Sequence, residues 1–238
     1  MSKKFFFAAI FAAAALLPQA AKGQTNLQVL YDFGKGRDHV TTTLEGFYND
    51  NWGNTFFFID YDFNSKNAEG KKVAPSGTYM EIARCLNFWQ DTKLAPLSLQ
   101  VEYNGGNYRF IDSYAGINNA FLAGFDYFIH SKDFKNTFNF KVLGKYIVDT
   151  KQAAPLQLTA VWGMKDLFGV EGLTFSGFAD LWWETKPIFI SEPQIWYNVG
   201  RHFGCENLNV GGEVEISSNF AGSDKVYARP CLGAKWVF

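Results

Sequence analysis

The sequence predicts an all-β protein, a transmembrane antiparallel β-barrel of about 12 strands over residues 24–238. Three observations predict it. Apolar and polar residues alternate at period two through much of the chain, and no stretch has helical periodicity long enough to compete. Aromatic residues make up 18% of the chain, yet mean hydropathy is only −0.12. An apolar outer face around a polar lumen produces that pair of values. The final stretch, Val226 to Phe238, then splits cleanly into two faces. Ala228, Pro230, Leu232, Ala234, Trp236 and Phe238 share one, while Tyr227, Arg229, Cys231, Gly233, Lys235 and Val237 share the other. A strand with that split separates an oily phase from a wet one.

Residues 1–23 read as a signal peptide. Lys3 and Lys4 form a positive start, Phe5 to Leu17 is an unbroken apolar run, and Ala21 and Gly23 are the small residues before a cut at Gln24. A spanning helix needs about 20 apolar residues, more than this run supplies. The expected destination is the bacterial outer membrane. Without Lys3, Lys4 and Lys22, 19 basic residues face 23 acidic ones, so nothing offers nucleic acid a basic face. Cys85, Cys205 and Cys231 show no CxxC spacing and no clustered His, and read as small packing residues. No metal or cofactor is expected.

In chain order, strands are expected near 26–34, 39–49, 54–63, 77–88, 95–104, 119–129, 137–148, 155–163, 173–183, 193–201, 208–217 and 226–238. The connections 64–76 and 105–118 are long and polar, whereas 50–53 is short. Long outer loops and short inner turns are the barrel pattern, although 35–38 is short for an outer loop. Leu97, Leu99, Val101 and Tyr103 oppose Ser98, Gln100, Glu102 and Asn104. Phe138, Phe140 and Val142 oppose Asn139 and Lys141, and Val210, Val214 and Ile216 oppose Asn209, Glu213 and Glu215. Tryptophans 52, 89, 162, 182, 183, 196 and 236 fall near strand ends, where interfacial girdles lie. A soluble lipocalin-like barrel would invert these faces. Two residues fit badly: Arg84 shares a phase with Met80 and Ile82, and Pro230 calls for a bulge at the upper rim.

The richest stretch is Thr43 to Phe63. Phe57, Ile59, Tyr61 and Phe63 take the lipid phase, leaving Phe56, Phe58, Asp60 and Asp62 inward, with Glu45 on the same side from the preceding strand. Rings can stack on a planar base or sugar face, and carboxylates accept hydrogen bonds from hydroxyls or amines. The plainer reading has the rings filling a packed lumen and the acids pairing with Lys141, Lys145 or Arg229. Further inward candidates are Glu81, Glu102, Asp126, Asp180, Glu213, Glu215 and Lys235. Their mixed signs suit a neutral polar solute. Twelve strands fall between the filled eight-stranded barrel and the open porin, so a narrow path is expected.

Glu45, Asn49 or Asp50, Trp52, Gly53, Phe56, Phe57, Phe58 and Asp60 form a hairpin that resembles the nucleoside-specific (Tsx-like) outer-membrane channel family. The terminal Phe238 similarly resembles the insertion signal read by the outer-membrane assembly machinery. The resemblance implies a monomeric twelve-stranded barrel in outer-membrane lipid that passes nucleosides. Its solute path would include Phe56, Phe58 and Asp60. The alternatives are a structural, adhesion or receptor barrel, or a membrane-embedded lipid hydrolase. An enzyme is not expected, because no serine sits persuasively beside His39, and His130 and His202 fall at turns.

Overall fold

The computed structural model describes residues 22–35, 37–64, 70–71, 76–109 and 114–238. The signal-peptide reading therefore lies outside the described residues up to residue 21, as does most of the expected loop 64–76. The strands are β1 (Lys22–Asp32), β2 (His39–Asp50), β3 (Gly53–Phe63), β4 (Gly77–Leu86), β5 (Leu97–Arg109), β6 (Tyr114–His130) and β7 (Asn136–Ile147). After them come β8 (Ala154–Lys165), β9 (Leu173–Trp183), β10 (Pro187–Ser191), β11 (Gln194–Tyr197), β12 (Leu208–Ser218) and β13 (Val226–Val237). Neighbours pair antiparallel, and β13 closes the sheet on β1 from Asn26↔Val237 to Asp32↔Cys231.

β10 and β11 are two halves of one strand. Ser191 pairs with Ala179 and Gln194 with Ser176 on β9, while the same two residues pair with Ile216 and Glu213 on β12. The register thus passes through Glu192 and Pro193 without a slip. The carbonyl of Pro193 accepts the Val214 N–H at 3.1 Å, but proline has no N–H to return. The barrel accordingly has twelve strand positions, as expected. The expected strand at 193–201 is corrected to 187–197, because Pro187 and Pro193 masked a continuous strand.

Its interior and exterior are inverted relative to a soluble protein. Gln28, Asp32, His39, Gln100, Asp126, Lys145, Gln157 and Glu215 are buried inside. Leu27, Val29, Val101, Phe121, Phe125, Phe140, Val142, Ile195 and Leu232 are exposed on the outer wall. A contiguous apolar exterior on a closed barrel is the surface that lipid covers. The start of β1 and the end of β13 lie side by side at one end of the barrel, called here the terminal end.

Several expectations are corrected. The connection read as 105–118 shrinks to 110–113, because β5 and β6 run on past a bulge at Asn104/Gly106. Any side chain at Gly106 would collide with the Thr78 carbonyl, so the glycine marks a close strand approach rather than a loop. The loop asymmetry is also lost. Terminal-end connections 87–96 and 198–207 match or exceed most of those at the far end. They are folded on themselves, with Asn87 Nδ2 donating to the Ala95 carbonyl at 2.6 Å and Asn198 Nδ2 to that of Glu206 at 2.7 Å. Pro230 needs no bulge. It pairs in register with Val214, and its missing N–H would point to the β1 side, just beyond the last pair of that ladder. Arg84 faces outward near the terminal end, where its guanidinium reaches Asp50 at 2.8 Å and Thr55 at 3.1 Å, so its charge leaves the apolar band. Trp182 and Trp196 turn inward and are buried, so the girdle lacks them.

Candidate functional site

The hairpin of β2 and β3 sets the first wall. Glu45 pairs with Phe58, Thr43 with Asp60 and Thr41 with Asp62, all on the inward phase. Because side chains alternate, one register places Phe56, Phe58, Asp60 and Asp62 in a column running from the terminal end towards the far end. The ring centroids of Phe56 and Phe58 lie 6.1 Å apart, and those of Phe58 and Tyr79 5.9 Å apart, all tilted. Tyr79 extends the aromatic strip on β4 and donates its hydroxyl proton to Glu81 at 2.7 Å.

The acids of this wall are held by neutral donors. Thr43 donates to Asp60 at 2.5 Å, Thr41 to Asp62 at 2.7 Å, and Asn26 Nδ2 to Glu45 at 2.8 Å. His39 stands 3.7 Å from Asp62. The ion pairs of the plainer reading, with Lys141, Lys145 or Arg229, do not form. Lys141 donates to Gln100 at 2.8 Å, Lys145 to Gln157 at 2.6 Å, and Arg229 to Glu215 at 2.8 Å. A hydroxyl one strand away reaches these carboxylates before a cation on another wall can.

The remaining candidates also face inward. Glu102 accepts from Gln100 at 2.7 Å, Asp126 from Asn139 at 2.8 and 2.9 Å, and Asp180 from Thr159 at 2.5 Å. Two groups then meet across the lumen. Glu192, just after β10, is an electrostatic neighbour of Asp60 on β3 and of Glu213 and Glu215 on β12. Glu81 on β4 stands in the same relation to Glu102 on β5 and Asp180 on β9, with Lys145 beside them. Residues of opposing walls therefore lie within electrostatic reach of one another across the lumen. Sequence reasoning missed Glu192, Gln28, Tyr79 and Arg37. Alternation in β1 and β4 could have shown Gln28 and Tyr79. No sequence signal placed Glu192 inside a strand between two prolines.

The far end is braced differently. Arg37, from the connection after β1, binds Asp32 at 2.9 Å and also Glu215, which Arg229 engages too. On the opposite wall Ala120, Leu122, Leu143, Ile147, Trp182, Ile188 and Ile190 form an apolar cluster inside the barrel, with Phe178 and Phe220 against it. Lys145 lies 4.0 Å over the Trp182 ring, and Lys235 lies 4.3 Å over that of Trp196. Trp196 lies against Gly211, where a Cβ would come within 2.9 Å of its ring. The cysteines are free; Cys85 and Cys231 are buried inward, Cys85 beside Gln100 at 3.3 Å. His130 stacks on Phe134, and His202 meets the Tyr197 hydroxyl at 2.6 Å.

Residues 24–238 match the family described as Domain of unknown function (DUF5020). The chain belongs to that family. No curated protein matches it in sequence. Its fold is similar to that of the KdgM porin, with a TM-score of 0.52 and 10% identity over 90% of this chain and 99% of the other. The KdgM porin in complex with disordered oligogalacturonate gives a TM-score of 0.51 at the same identity and coverage. The outer membrane protein opdK from Pseudomonas aeruginosa gives 0.41 at 9% identity, over 93% of this chain and all of the other. The fold is thus that of an outer-membrane porin.

Proposed function

We propose that this barrel is a passive outer-membrane channel for small polar solutes, with nucleosides as the first candidates. One observation carries the reading: a polar lumen in which carboxylates of opposing walls are electrostatic neighbours, beside the continuous strip Phe56, Phe58 and Tyr79. A flat base could lie against the strip while ribose hydroxyls donate to Glu45, Asp60 or Glu81. Asp62, Glu102, Asp126, Lys141, Lys145, Asp180 and Arg229 would line the same path. The porin fold supports passage, and the hairpin's resemblance to the nucleoside channels supports the choice of solute. Inward acids outnumber inward cations, so a uronate polymer of the kind bound by KdgM would be repelled. No residue is assigned a chemical step, because His39 is buried beside Asp62 rather than beside a serine nucleophile.

Bilayer recordings and liposome swelling with uridine, adenosine and ribose test the reading. Phe58→Ala should weaken nucleoside block by about 1–3 kcal/mol if a base stacks there, and leave ribose entry unchanged. The apolar cluster that fills part of the far end favours a second reading, a closed scaffold or receptor. A folded barrel that carries no current and admits no ribose would establish it.

A further inference from the structure

We propose that the middle of the lumen selects and binds organic ammonium ions. The inference rests on the channel reading and names a further solute class for it. Glu192 stands one strand from Glu213, in the register that continues from Gln194↔Glu213, and is an electrostatic neighbour of Asp60 across the lumen, with Glu45 among the neighbours of Asp60 and Glu213. Each of Asp60, Glu45 and Glu213 takes a hydrogen bond from a neutral side chain, Glu213 from Gln194 Nε2 at 2.8 Å. Among the described residues, no lysine or arginine pairs with Asp60, Glu192 or Glu213. Arg37 binds Asp32 and Glu215, and Arg229 binds Glu215; Lys235, over the Trp196 ring, is an electrostatic neighbour of Glu45 and Glu213 but forms an ion pair with neither, so the acids of the group outnumber the cations near them. Negative potential in a narrow, low-dielectric passage is focused rather than screened. Rings of carboxylates are how cation-conducting pores choose their ions.

A second, independent observation asks for a donor. Gln28 is 1% exposed, faces inward between Thr43 and Lys235, and its Oε1 has no hydrogen-bond partner. The orientation of that amide follows from its neighbours. Glu45 can only accept, so Asn26 must turn its Nδ2 to Glu45 and its Oδ1 to Gln28. Gln28 must then give its Nε2 to Asn26, at 3.0 Å, which leaves Oε1 as a buried acceptor. A buried acceptor without a donor is costly, so the site is incomplete as built from protein alone. Asn104, 4% exposed beside Glu81, leaves its Oδ1 in the same condition in the second carboxylate group. Among the described residues no three acids close on one point as a metal would require. Acceptors spread along a passage instead suit a solute carrying several N–H donors.

The probes are putrescine, 1,4-butanediol and succinate, which share a four-carbon chain and differ in charge. The reconstituted wild-type barrel should prefer potassium over chloride in a salt gradient. Its current should be blocked by putrescine and by neither of the other two. Glu192→Gln keeps the shape and should weaken putrescine block by about tenfold, on the scale of a lost hydrogen bond to a charged group. A heat-shifted gel band confirms that the variant is folded, and Glu213→Gln repeats the test from the neighbouring strand if it is not. Conduction without cation preference or putrescine block would overturn this inference and leave the channel standing. Should the barrel carry no current, the channel reading fails, and saturable quenching of tryptophan fluorescence by putrescine decides the site separately. Saturation that weakens in Glu192→Gln supports it, and no saturation overturns it.

Discussion

The lumen has two lobes that share the inward phase and solve opposite problems. On β6 to β10, Leu122, Leu143, Ile147, Trp182, Ile188 and Ile190 fill space by packing, and apolar groups ask for no partner once packed. On β1 to β5 and β11 to β13, Gln28, Glu45, Asp60, Glu81 and Glu213 are satisfied one bond at a time, and an acceptor remains open. The difference separates stability from recognition within a single barrel. A lobe that is full on its own can brace the barrel. A lobe with acceptors left over can bind what passes.

The largest expected effect tests the bracing role. Leu143 is 0% exposed at the centre of the apolar lobe. Leu143→Ala should cost about 2–5 kcal/mol of stability, as cavity-forming substitutions in packed cores do. Equilibrium unfolding in urea, from lipid vesicles, measures it. Solute block by whatever remains folded should be unchanged. Thr43→Val should do less to stability and more to selection. It removes the hydroxyl that Asp60 leans on, at a cost of about 1–3 kcal/mol, while freeing the carboxylate to turn in the passage. An altered block in Leu143→Ala with an unaltered one in Thr43→Val would reverse the assignment of the lobes.

Much of this was legible because period two is a strict code. Once Phe57, Ile59 and Tyr61 were read as outward, Phe56, Phe58, Asp60 and Asp62 could only face in, and the register bears that out. Alternation says which face a side chain takes but not what stands across a closed barrel. The meeting of Glu192 with Asp60, or of Asp180 with Glu81, depends on curvature and closure that no local pattern carries. Partners are hidden from the sequence for a related reason. Lys141, Lys145 and Arg229 have the right charge for the hairpin acids, but the Thr43 hydroxyl one strand away holds Asp60, and the cations are taken by the amides of Gln100 and Gln157 and by the carboxylate of Glu215. Prolines and glycines misled in both directions. Gly105 and Gly106 read as loop yet sit in β5, and Pro193 read as a strand start yet sits in mid-strand.

That proline marks the border of the two lobes and permits the finest test. Along one strand, Ile188 and Ile190 belong to the apolar lobe, while Glu192 and Gln194 belong to the polar one. Pro193 falls in the outward phase, next to Glu192, and its nitrogen leaves one rung to Val214 unmade. Pro193→Ala would restore the donor, gaining about 0.5–1.5 kcal/mol, and give back about 0.4–1 kcal/mol through a freer unfolded chain. The net change should be small and of positive sign, about 0.5 kcal/mol. Amide exchange at residue 193 should be as slow as at its ladder neighbours, because the new N–H meets a waiting carbonyl in a lipid-facing wall. Cation preference should not move, since the substitution alters the lipid face and Glu192 stands on the other. A barrel made less stable by Pro193→Ala would mean that the strand bends there. Glu192 would then owe its position to the bend, and the border between the lobes would itself be part of the selecting site.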